Sequence, residues 1–125
     1  MRLLAMCALG VLAGCSAARD VEINGQVTAP KELAVGSALV IDFIDVVGAG
    51  KGARRTAVER VALDGLGEFR ARVMLEGDQV LVRVIDDRNL DGECSFGEAW
   101  GEAHAPVGED SATDVSLMLG TKVCP

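Results

Sequence analysis

The sequence predicts one small all-β domain, an antiparallel sandwich, and three observations carry that expectation. From Val21 onward apolar residues recur with a period of two rather than 3.6. The apolar runs are short and rich in Val and Ile, and clusters of Gly, Asp and Pro punctuate them at near-regular spacing. Beyond the N-terminal apolar run, no stretch of ten or more residues carries an amphipathic helical pattern.

The strands can be taken in order. Val21, Ile23 and Val27 alternate with Glu22, Asn24 and Gln26, and Pro30 ends that run. Lys31 to Gly36 holds one helical turn at most. Ala38 to Val47 is a longer apolar strand, with Asp42 and Asp45 at its polar positions. Ala57 to Leu63 alternates weakly and closes on the turn Asp64-Gly65-Leu66-Gly67. Phe69, Ala71, Val73 and Leu75 then face one way, with Arg70 and Arg72 opposite. After Glu76-Gly77-Asp78 comes a strand over Gln79 to Asp86, and Thr113 to Leu119 is the last.

The N-terminus follows a different logic. Arg2 supplies a positive start, Leu3 to Leu12 an apolar stretch, and Leu12-Ala13-Gly14-Cys15 leads through small residues to a cysteine. About ten apolar residues are too few to span roughly 30 Å of hydrocarbon but match the core of an export signal. The segment resembles the lipobox of bacterial lipoproteins. That resemblance implies cleavage after residue 14, a diacylglycerol on the Cys15 thiol, further acylation (palmitate-type chains) and a lasting membrane tether. Ser16 follows, where an Asp would imply inner-membrane retention, so the resemblance points to the outer membrane. A plain cleaved signal and an uncleaved anchor are the alternatives, although Arg19-Asp20 ends the apolar run too early for the anchor. The chain then divides into a leader (1–14), a lipidated Cys and tether (15–20) and a sandwich (21–125). At about 3.4 Å per residue the tether reaches at most about 17 Å, which holds the domain against the membrane surface.

Composition narrows the function. Lys and Arg number 12 against 19 Asp and Glu, for a net charge of −7, with three Phe, one Trp and no Tyr. Such a domain lacks the basic face and stacking residues of a nucleic-acid binder, and its charge opposes lying flat on anionic lipid. Of four cysteines, Cys7 leaves with the leader and Cys15 is the lipid site. Cys94 and Cys124 remain as an even pair in an oxidising compartment, so a disulfide between them is expected. Closing a loop of about 30 residues stabilises by roughly 3–4 kcal/mol in the chain-entropy description. The alternative is a free nucleophilic thiol working with His104.

One segment carries chemistry. Asp87-Arg88-Asn89-Leu90-Asp91-Gly92-Glu93-Cys94-Ser95-Phe96-Gly97-Glu98 fits the calcium-loop pattern D-x-[DN]-x-[DN]-G-x5-E without a gap. Asp87, Asn89 and Asp91 place side-chain oxygens at alternate positions, and Gly92 permits the sharp reversal between them. Glu93 would give its backbone carbonyl, Ser95 a hydroxyl or a bridging water, and Glu98 a bidentate carboxylate. Six or seven oxygens result, the number a calcium ion takes, whereas magnesium demands a stricter octahedron. The segment is similar to the EF-hand loop, but a strand enters it, Cys94 stands where an aliphatic residue is usual, and no second loop pairs with it. It looks like calcium loops of bacterial surface and secreted β-sandwich modules. The plainer alternative is a solvated Asx-rich turn that binds nothing.

Other candidates are weaker. Lys51, Arg54 and Arg55 by the Gly48 to Gly52 loop make an anion contact or a polar hairpin tip. That loop lacks the spacing of a phosphate loop. His104 stands alone, against both a His-rich zinc site and a Ser-His-Asp triad. Trp100 is expected to cap one end of the core.

The order of strands, opening with a Gly-x-Val strand and a Pro, resembles prealbumin-like (transthyretin-type) sandwich domains. These recur in secreted bacterial proteins and in a secretion-associated lipoprotein group with chaperone-like roles, although fold alone carries no activity. The resulting expectation is a non-catalytic lipoprotein, lipid-anchored in the cell envelope at the outer rather than the inner membrane. Its calcium-stabilised sandwich would serve interaction or assembly with an envelope protein, with a structural or adhesion role as the alternative. An enzyme is disfavoured, because no nucleophile–base pair or catalytic metal set is visible.

The leader is directly testable. Intact-mass spectrometry of the membrane fraction should show a chain beginning at Cys15 and carrying acyl mass, and Cys15→Ser should leave it uncleaved or without lipid. Cleavage elsewhere with no acyl mass would overturn the lipoprotein expectation.

Overall fold

The computed structural model describes residues 18–120, excluding residues 37, 96 and 110 and the side chains of 112 and 113. The expected leader, the expected lipid site at Cys15, and Cys124 lie outside the described residues. Among the described residues the fold is an all-β sandwich of seven strands in two sheets, compatible with a prealbumin-like or immunoglobulin-like arrangement.

Strand β1 (Arg19–Thr28) is the centre of the smaller sheet. It pairs antiparallel with β4 (Gly67–Leu75), from Arg19 opposite Leu75 to Val27 opposite Gly67. On its other side it pairs with β7 (Ser111–Met118), and this pairing is parallel. The expected antiparallel sandwich is present, with this one parallel pairing within it. A parallel neighbour needs a long crossover, and here the chain passes through the whole second sheet between β1 and β7. That sheet has the order β3-β2-β5-β6, all antiparallel. Its strands are β2 (Leu39–Val47), β3 (Arg54–Leu63), β5 (Gln79–Asp86) and β6 (Trp100–Pro106).

Alternation sets the two inner faces. Val21, Ile23, Val27, Val73 and Leu75 of the smaller sheet meet Leu39, Ile41, Phe43, Val80, Val82 and Val84 of the larger one in one core. Phe43 and Phe69 cross the interface with ring centroids 6.0 Å apart and planes at 56°. Gly25, paired with Phe69, explains the Gly-x-Val signature. A Cβ at residue 25 would collide with the Val115 carbonyl of β7 and lie 2.7 Å from Cζ of Phe69, so only glycine fits between that backbone and the ring.

Strand β6 is absent from the expected strand list, and its residues say why. Val84 pairs with Gly101 and Val82 with Ala103, so the inward side of β6 is built of very small residues. Gly101 runs against the Met118 carbonyl of β7, where any Cβ would collide. The corner between the sheets is therefore too tight for the bulky residues that mark a strand. Trp100 does not cap the core as expected. It sits opposite Ile85 on the outer face, with the Arg83 guanidinium carbon 5.7 Å from its ring centroid. Lys31 to Gly36 forms a turn and an irregular segment, not a helix.

Two clusters of hydrogen bonds define the end of the sandwich where β1 begins. The Arg19 guanidinium donates to the carbonyls of Leu75 (3.4 Å), Gly77 (3.0 Å), Gly108 (3.2 Å) and Glu109 (3.2 Å). Asp45, only 5% exposed, accepts the backbone N–H groups of Glu76 and Gly77, both at 2.9 Å. Gly77 itself lies so close to the Val46 carbonyl that any side chain would clash. The carboxylate thus fixes the turn that leads from one sheet to the other.

This arrangement sets a contrast in stability. Asp45→Ala leaves two inward N–H donors unpaired and should cost about 2–4 kcal/mol by urea denaturation. Arg72→Ala, which breaks an exposed pair with Asp20, should cost less than about 1 kcal/mol.

Candidate metal centre

The loop of residues 87–98 leaves β5 at the opposite end from Arg19. Gln79 at the start of β5 pairs with Val46, beside the Asp45 turn, whereas Asp86 at its end pairs with Leu39. The loop is closed at its base by two backbone bonds, Asp86 N–H to the Ala99 carbonyl and Asp87 N–H to the Ala38 carbonyl, both 2.9 Å. Residues 87 and 98, the first and last of the motif, are thereby drawn together.

Three of the six expected ligands converge through charged oxygens. One carboxylate oxygen from each of Asp87, Asp91 and Glu98 lies within 4.8 Å of the others. Asp87 and Glu98 are 3% and 5% exposed. Asn89 and Ser95 join the same group: the Asn89 amide donates to Asp91 Oδ2 (3.1 Å) and Ser95 Oγ (3.2 Å), and the Ser95 hydroxyl donates to Asp91 Oδ2 (2.7 Å). Glu93 enters through its backbone, its N–H donating to Asp91 Oδ1 at 2.9 Å.

The backbone shows why these residue types recur at this spacing. Asp87 Oδ2 accepts Gly92 N–H (2.8 Å), and Asn89 Oδ1 accepts Asp91 N–H (3.3 Å). Glu98 Oε1 and Oε2 accept the N–H groups of Ser95 (2.8 Å) and Asn89 (3.4 Å). Each carboxylate or amide folds the chain back towards itself. The reversals use left-handed backbone at Leu90 (φ 59°) and Gly92 (φ 76°). Leucine tolerates that region poorly, and its side chain is 74% exposed, so no packing there compensates.

The electrostatics are unbalanced. The Ser95 hydroxyl first, and then the Glu93 N–H, hold the Asp91 carboxyl below its usual range, so it keeps its charge. Oδ1 of Asp87 is buried and has no hydrogen-bond partner. A buried carboxylate oxygen left in this condition, beside two further carboxylates, lacks the compensation that buried charge requires. The donors are all hard oxygens, so the cluster can hold a hard metal ion.

Asp86, immediately before the loop, is fully buried and serves a different purpose. Its Oδ2 accepts Gly36 N–H and Arg88 Nε–H, both at 3.1 Å, and Arg88 also donates to the Ala34 carbonyl. Strand alternation sends the two neighbouring carboxylates opposite ways, Asp86 to the 34–36 segment and Asp87 into the loop. The signal for Asp86 in the sequence is the Asp86-Asp87 doublet at the end of a strand. The remaining candidates stand apart from the loop: Arg54 and Arg55 open β3, Lys51 lies in the preceding turn, and His104 is on β6 opposite Leu81.

No family model, curated protein or solved structure matches this chain.

Cys94 is disulfide-bonded, and no cysteine among the described residues is free. Its expected partner, Cys124, lies outside the described residues. A maleimide reagent should therefore leave native Cys94 unlabelled until the protein is reduced, and peptide mapping should recover residues 94 and 124 in one crosslinked fragment. Ready labelling of both cysteines in native protein would contradict the pairing.

Proposed function

We propose that this chain is a non-catalytic lipoprotein of the cell envelope, held by lipid at Cys15, with calcium bound by Asp87, Asn89, Asp91, Glu93, Ser95 and Glu98. Its sandwich presents that calcium-stabilised end to an envelope protein, and the lipid places it at the outer membrane. The observation that carries this reading is the buried, unpartnered Asp87 oxygen within a three-carboxylate cluster. A solvated Asx turn accounts for the exposed Asn89, Asp91 and Ser95 network, but it supplies nothing to Asp87 Oδ1.

The geometry adds support. β1 begins at Arg19, so only residues 16–18 separate the lipid site from the strand. With β5 eight residues long, the metal loop lies about 27 Å along that strand from the end of the sandwich where β1 begins. A Cys94–Cys124 disulfide would limit the loop's disorder at low calcium. The loop has three carboxylates and no partner loop, so its affinity should resemble extracellular modules, with Kd about 10⁻⁴–10⁻³ M.

Calcium binding to the folded state alone should raise the melting temperature by about 5–15 °C at about 10 mM calcium. Trp100, two residues past Glu98, should change its emission over the same range. Asp87→Ala should abolish both responses, as should Glu98→Gln, while each variant stays folded. A well-folded wild type that ignores calcium up to several millimolar would leave the loop an ordinary turn. Co-isolation from membranes separates the two roles: one defined envelope protein lost with Asp87→Ala supports interaction, and recovery with surface polymer supports a structural or adhesion role.

A further inference from the structure

A basic side chain reaches the carboxylate loop from the edge of the larger sheet. Arg60 on β3 donates from Nε and Nη2 to the two oxygens of Asp42 on β2, at 2.6 and 2.9 Å. This bidentate grip fixes the guanidinium plane. The remaining nitrogen, Nη1, points at the loop: a Cβ placed on Gly92 would lie 2.5 Å from it. Gly92 therefore answers two demands, a left-handed backbone and room for a cation beside the metal-binding turn.

We propose that Arg60 is a built-in competitor for the metal, supplying countercharge that keeps the carboxylate loop folded when calcium is scarce and lowering the loop's affinity for calcium. This rests on the calcium reading of the loop and concerns its regulation. The charges around Arg60 explain why it acts outward. Asp42 faces Arg60 on one side and Arg83 on the other by strand register, and Arg83 pairs with Glu102 at 3.1 Å. Alternating charges thus cross all four strands, and the row ends in a cation on the loop side. Arg83 is taken up by Glu102, and Arg60 keeps Nη1 free of Asp42 and turned towards Gly92. The Asp42 hydrogen bonds above all, with the fields of Asp42, Asp87 and Glu93, strengthen the guanidinium's hold on its proton against burial.

The consequence follows from charge alone. Without calcium, Asp87, Asp91 and Glu98 repel one another and Arg60 offsets part of that repulsion. Once a divalent cation is bound, the same guanidinium repels it. Arg88 does not share this role, because its guanidinium is committed to Asp86 and the Ala34 carbonyl.

Calorimetric calcium titrations of wild type, Arg60→Gln, Arg60→Lys and Arg72→Gln test the assignment. Arg60→Gln should bind calcium about 3- to 30-fold more tightly, the range expected for removing one nearby unit charge. Arg60→Lys keeps the charge and should stay within about threefold of wild type. Arg72→Gln makes the same change in net charge on the other sheet and should stay within about twofold. The melting temperature of Arg60→Gln should fall further below wild type in chelator than in saturating calcium. If the calcium-free variant is unfolded, stopped-flow chelation of its calcium-loaded form supplies the reading, with calcium leaving more slowly than from wild type. Unchanged or weaker affinity in Arg60→Gln, or equal losses in Gln and Lys variants, would make Arg60 a scaffold and overturn the proposal while leaving the metal centre intact. Calcium binding by neither wild type nor Arg60→Gln would remove the metal centre itself. Binding by Arg60→Gln alone would uphold the competitor.

Discussion

Two consecutive carboxylates, Asp86 and Asp87, are buried where β5 ends, and the whole far end of the sandwich is arranged around their compensation. A strand cannot send neighbours the same way, so each side chain needs its own set of partners. Asp86 gathers Arg88 and the 34–36 segment and so pins a connection that has no secondary structure of its own. Asp87 organises the turn through Gly92 and, like Asp86, has one buried oxygen without a hydrogen-bond partner. Replacing either would be felt well beyond its own position, because the base of the 87–98 loop and the 34–36 connection meet at this doublet.

The fold was legible where side chains are large and alternate cleanly. The inward rows of β1 and β4 follow directly from Val21, Ile23, Val27 and from Phe69, Val73, Leu75. Two things escaped. The parallel pairing of β1 with β7 is set by the path of the chain through the other sheet, and no local pattern encodes it. Strand β6 hides its identity, because the β7 backbone presses so close that glycine and alanine must stand where hydrophobic residues would advertise a strand. Asp45 also misled. It reads as a solvent-facing interruption of an apolar run, yet it is buried and clamps a turn contributed by residues more than thirty positions away.

The candidate centre was legible for a similar reason in reverse: its donors lie within twelve consecutive residues, so their spacing carries the geometry. The expected side-chain ligands Asp87, Asn89, Asp91, Ser95 and Glu98 are gathered in one hydrogen-bonded or close-packed group. What spacing could not carry is the contribution of distant chain. Arg60 precedes the loop by more than two dozen residues and reaches it only because β3 and β2 pair in a particular register. Nothing around Arg60 in the sequence distinguishes it from Arg54 or Arg55.

The four carbonyls gathered by Arg19 have a mechanical consequence. The residues before Arg19 leave from a locked strand end, because one guanidinium ties that end to turns on both sides of it. Tension arriving through the N-terminus is directed along β1, which is hydrogen-bonded to β4 on one flank and β7 on the other. If the opposing force is applied at the far loop, the strands are loaded in shear, and the ladders on both flanks must give way together instead of opening one bond at a time. Survival under such a pull is governed by the unfolding rate rather than by equilibrium stability. A domain built in this way would resist detachment by force better than its small core suggests.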